Sequence, residues 1–88
     1  MIKQKALVLT NGMLDSTNAK TCHGLIRGTD RFDILAIIDH VHAGKDAGEV
    51  LDGKPRQIPI YASVADYLAA ENQPKPEVCI IGVATPGG

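Results

Sequence analysis

The residues best suited to chemistry gather in two short loops. The first, Thr10-Asn11-Gly12-Met13-Leu14-Asp15-Ser16-Thr17, leaves an apolar tetrad and runs into a helix-like stretch that begins with Lys20 and Thr21 in its first turns. The second, Ala84-Thr85-Pro86-Gly87-Gly88, follows another apolar run. The start of a helix carries unpaired N–H groups and the positive end of the dipole, so a loop leading into one favours an anion. Asn11, Gly12, Lys20 and Thr21 are therefore expected to contact a phosphate or carboxylate, with Thr85, Gly87 and Gly88 offering backbone N–H groups from across a crevice. Neither common phosphate motif is complete. The dinucleotide fingerprint needs three glycines and finds only Gly12, and a P-loop needs glycine before its lysine, where Ala19 stands. A tight turn at Gly12, a cap at Ser16 or Thr17 and a solvated Lys20 explain the first loop equally well.

Asp39 closes the second apolar strand, where an acidic side chain can hydrogen-bond ribose hydroxyls; a solvated strand-end aspartate is the competing reading. His40 and His42 flank Val41 and would share one side of an extended segment, with His23 on the first helix. Spacing fixes no third ligand, so ordinary loop histidines are preferred and no metal is assigned. Cys22 and Cys79 read as reduced, buried small hydrophobes.

Three continuous apolar runs must position these loops: Ala6–Leu9, Ile34–Ile38 and Val78–Ile81 with Val83. Continuous rather than alternating runs suit parallel strands buried on both faces. Ile58-Pro59-Ile60-Tyr61 is a weaker strand whose proline sends it to an edge. Between them, Thr17–Arg27 and Ser63–Glu71 carry helical spacing, with Gly28 as a stop and Ser63 and Asp66 as a capping pair. The Val41–Gln57 crossover holds Gly44, Gly48, Gly53 and Pro55, so a single helical turn around Asp46 to Leu51 is the most it should form. Right-handed connections predict an α/β, Rossmann-like three-layer domain with a four-stranded parallel sheet in the order 3-2-1-4. The first and last strands then lie at the reversal of strand order, and their loops share one crevice. Residues 1–88 read as a single domain, expected to be the N-terminal fragment of a longer protein that stops after its fourth strand.

Composition narrows the function. The chain is 44% hydrophobic with one Phe, two Tyr and no Trp, so its core is aliphatic. A net charge of −1 without a basic stripe argues against a nucleic-acid partner. No secretory leader or membrane-length apolar run is apparent, which predicts a cytoplasmic protein.

Ala19-Lys20-Thr21 with Gly24-Leu25, the run from Ala43 to Gly53, Ile58-Pro59-Ile60 and the run from Ile81 to Gly88 together resemble a bacterial family of unknown function. Its members join an N-terminal Rossmann-like domain to a C-terminal P-loop domain, and some are linked to D-glutamate N-acetylation. The resemblance implies that this chain is the first domain and that its partner is its own P-loop domain downstream. Ile58–Val64 is also similar to the CoA-binding domain of succinyl-CoA synthetases.

Three functional readings follow. The first is the ligand-binding half of a two-domain enzyme, an amino-acid N-acyltransferase with acetyl-CoA, CoA or a nucleotide as cofactor class; the domain alone would be inactive. The second is an NAD(P)-dependent oxidoreductase domain. The third is a non-catalytic docking or oligomerisation domain.

Overall fold

The computed structural model describes residues 3–10, 12–14, 20–70 and 73–82. Four strands, β1 (Gln4–Leu9), β2 (Phe32–Ile38), β3 (Ile60–Tyr61) and β4 (Val78–Ile81), alternate with the helices α1 (Lys20–Arg27), α2 (Ala47–Asp52) and α3 (Val64–Ala69). The strands form one sheet in the order β3-β2-β1-β4. Every neighbouring pair is parallel. The expected α/β architecture and strand order are therefore present, with the short proline-preceded strand β3 at an edge.

Side chains alternate across the sheet and sort the core into two layers. Val8, Ile37 and Ile80 face α1 and α2, where they meet Cys22, Ile26 and Ala47. Leu7, Ala36 and Ile38 face α3 and pack with Tyr67. The register slips once: Ala6 pairs with Ile34 but Leu7 pairs with Ala36, which leaves Leu35 as a bulge. Leu7, Val8 and Ile37 are fully buried, and each contributes about 1.5–3 kcal/mol by leaving water.

The helices begin and end where the sequence supplies the chemistry. Ser63 caps α3, its hydroxyl accepting the Asp66 N–H at 3.1 Å. Asp46 caps α2, and Gly53 ends it in the left-handed region at φ 79°. The crossover is thus a single short helix, as its glycines require.

Two expectations fail locally. Cys22 is buried but Cys79 is exposed. β4 is not buried on both faces, because Ile81 is 66% exposed. A continuous apolar run identifies a strand, but cover is decided by which elements pack over it. α3 packs through Tyr67 over Leu7, Ala36 and Ile38 of β1 and β2, while Cys79 and Ile81 stay exposed.

Candidate functional site

The candidate site is the carboxyl end of the sheet, where β1, β2 and β4 end side by side. Its centre is Asp39, directly after β2 and only 1% exposed. One carboxylate oxygen accepts the Thr10 hydroxyl at 2.5 Å and the Leu14 N–H at 3.0 Å. The other accepts the N–H groups of Val41 and His42, each at 3.1 Å, and lies 3.0 Å from His42 Nδ1. Five hydrogen bonds exhaust the acceptor capacity of a carboxylate. Burial pushes this carboxyl up, but the bonds from Thr10, His42 and Leu14 outweigh it and hold the pKa below 3.8. Asp39 is therefore neither solvated nor turned toward an incoming ribose. It ties the β1 loop to the β2 loop.

Gly12 completes that tie. The Met13 N–H donates to the Thr10 carbonyl at 2.9 Å, and Gly12 stands at φ 82°. Glycine adopts positive φ without the steric cost a Cβ would bring. A Cβ there would sit 2.9 Å from His40 Cε1 and 3.1 Å from Val41 Cγ2, so the two loops touch at this point. Leu14, fully buried, anchors the loop into the α1/α2 layer. The His23 Nε2–H donates to the Leu14 carbonyl at 2.5 Å.

The histidines do not share a side. Asp39 bends the backbone at Val41 and His42, so the alternation of an extended segment does not apply. His42 turns inward to Asp39, while His40 is exposed beside Gly12. Among the described residues no group of three His, Cys, Asp or Glu side chains is placed to hold a metal ion. His42 also lines an open recess of about 360 Å³ with Lys45, Glu49 and Val50.

On the other side of β1, Gly82 brings α1 to β4. Its N–H donates to the Leu9 carbonyl at 2.9 Å, and its carbonyl accepts the Cys22 N–H, in the first turn of α1, at 3.3 Å. A Cβ at position 82 would stand 2.6 Å from Val8 Cγ1 and 2.9 Å from Cys22 Cβ. No side chain fits, and the contact holds the start of α1 beside the end of β4. Burial, helped by the Asp39 charge, pushes the Cys22 thiol up to about 12, which leaves it inert at neutral pH.

Of the expected ligand contacts, Gly12 and Asp39 sit in the β1–β2 platform, and Lys20, exposed, opens α1. Thr21 is in the first turn of α1. Asn11, Thr85, Gly87, Gly88 and the capping candidates Ser16 and Thr17 lie outside the described residues. Three residues that organise this end, Thr10, Leu14 and Gly82, stand outside the ligand set that the sequence suggests. Thr10 and Leu14 are far from Asp39 in sequence, so spacing gives no signal for them. Gly82, a lone glycine directly after an apolar run, carries a weak one.

The run from Ala43 to Gly53 has a structural explanation. Asp46 accepts the N–H groups of Glu49, Arg56 and Ile58 at 3.1, 2.9 and 2.9 Å. The backbone of residues 44–47 exchanges hydrogen bonds with Ile58 and Ile60. Gly48 is pressed against the Lys54 carbonyl and Arg56, which leaves no room for a side chain. This segment seals the β3 edge of the sheet.

Comparison with known proteins agrees with the fold. Residues 40–88 match the Rossmann-like domain DUF1611_N, a domain of unknown function. The crystal structure of a DUF1611 family protein from Anabaena variabilis ATCC 29413 superposes with a TM-score of 0.79 at 34% identity over 98% of this chain. The chain spans 23% of the length of that protein. No curated protein matches it. On the family match and this similarity, the chain belongs to the DUF1611 family and corresponds to its N-terminal Rossmann-like domain.

Proposed function

We propose that the domain receives a small phosphate- or carboxylate-bearing ligand where β1 and β4 end, as the binding half of a two-domain enzyme whose other half is a P-loop domain. The observation that carries this is the reversal of strand order between β1 and β4, with the start of α1 held against Gly82. Open parallel sheets bind ligands at that reversal, and a helix start there favours an anion. Gly12 and Lys20 flank the place where the ligand enters, while Asp39 acts by fixing the loops. The reaction class that fits the family resemblance is N-acyl transfer to an amino acid such as D-glutamate. Acetyl-CoA, CoA or a nucleotide is the cofactor class, and the isolated domain binds without turnover.

The test is a thermal-shift panel of acetyl-CoA, CoA, ATP, NAD and D-glutamate. A ligand at 100 times its dissociation constant stabilises by about 2.7 kcal/mol, which moves the midpoint of a domain this size by roughly 10 °C or more. The shift should shrink in Lys20→Ala. A panel silent for both the domain and the full-length protein overturns the proposal. Selective stabilisation by NAD would favour the oxidoreductase reading, which the single glycine of the first loop and the internally bonded Asp39 both weaken. The docking reading has one observation in its favour, the open face of β4.

A further inference from the structure

We propose that the α3-side face of β4, presented by Cys79 and Ile81, seats an amphipathic helix from the polypeptide that follows this domain in longer members of the family. The inference rests on family membership and not on the ligand reading. Cys79 and Ile81 are in register with Leu7 and Leu9, so all four side chains point to the face that carries α3. Leu7 is fully buried there, yet Ile81 is 66% exposed. Ile80, which points the other way, packs into the α1/α2 layer. β4 is the last strand of the sheet and contains only Val, Cys and Ile. It lacks the charge, proline or bulge that protects a strand meant to face water.

Chain handedness selects the occupant. From β1 to β2 to β3 the chain moves in one direction with α1 and α2 on one face; the return from β3 to β4 reverses direction and carries α3 on the other. A parallel connection continuing outward from β4 moves the same way as that return. Right-handed crossover then places its helix on α3's face, over Cys79 and Ile81. The match takes in 23% of the Anabaena chain, so most of that polypeptide lies outside it and can supply such a helix.

Thiol accessibility decides the matter. In the 88-residue chain, Cys79 should react with iodoacetamide about as fast as in urea, at a rate independent of protein concentration. In the full-length Anabaena protein, a cysteine placed at the position equivalent to Ile81 should react about tenfold more slowly, or slower still, until denaturant is added. If that variant does not fold, hydroxyl-radical footprinting of the unsubstituted Anabaena protein at the same residue reads the same point. Equal reactivity or labelling in the folded and unfolded full-length protein overturns the proposal. Protection of Cys79 in the 88-residue chain that grows with concentration, with a dimer by light scattering, also overturns it, because the occupant is then a second copy.

Discussion

The two edges of the sheet are finished in different ways. At the β3 edge the crossover folds back on itself. Asp46 gathers three backbone N–H groups, residues 44–47 bond to Ile58 and Ile60, and Gly48 lets α2 sit flush against the following loop. At the β4 edge nothing comparable exists among the described residues, and Cys79 and Ile81 face outward. The proposed ligand site lies between these extremes, at the end of β1, where Asp39 fixes one side and Gly82 fixes the other. The contrast teaches that the most distinctive run of the sequence, Ala43 to Gly53, serves closure of an edge.

The largest effect should come from the tie between the loops. Asp39→Asn keeps the shape but opposes an amide N–H₂ to several donors, and should cost about 3 kcal/mol in urea unfolding. A loss below about 1 kcal/mol would show that the β1 and β2 loops are held by packing alone. Opening the sealed edge comes next. Asp46→Ala removes a helix cap together with the bonds to Arg56 and Ile58, and should cost about 2 kcal/mol. Gly48→Ala drives a methyl into backbone and should cost about 1–3 kcal/mol. At the open edge Ile81→Ser should change the stability of this chain by about 0.5 kcal/mol or less, since the side chain already lies in water. A larger loss would mean that the face is covered in the domain itself.

Acid should expose the same asymmetry. Against opposing burial, hydrogen bonds hold Asp39 and Asp46 below their ordinary value of 3.8, and the Arg56 guanidinium, bonded at 2.8 Å, brings Asp52 to about 2. Carboxyls depressed in the folded state add stability that is complete above the unfolded value and drains as pH falls through the folded ones. The contribution of these carboxyls should therefore be constant above about pH 5 and fall from about pH 4 downward. Asp46→Asn should make that fall shallower, and an unchanged slope in pH-dependent urea midpoints would contradict the assignment.

The strands, the strand order, the α3 cap and the shortness of α2 were legible because they depend on local pattern: apolar runs, a proline at Pro59, Ser63 with Asp66, and glycines at 44, 48 and 53. What escaped was long-range. Thr10 and Leu14 meet Asp39 only because β1 and β2 pair, and a carboxylate at a strand end reads alike whether it faces a ligand or its own backbone. The exposure of Cys79 was hidden for a similar reason, since cover on β4 belongs to whatever packs over it.

Backbone amide NMR titration of the domain with the ligand that gives the largest thermal shift tests the central claim most directly. Shifts should cluster at Gly12, Lys20, Cys22 and Gly82, around the ends of β1 and β4. Shifts confined to the opposite end of the sheet, near Lys5, Phe32 and Glu77, would contradict it.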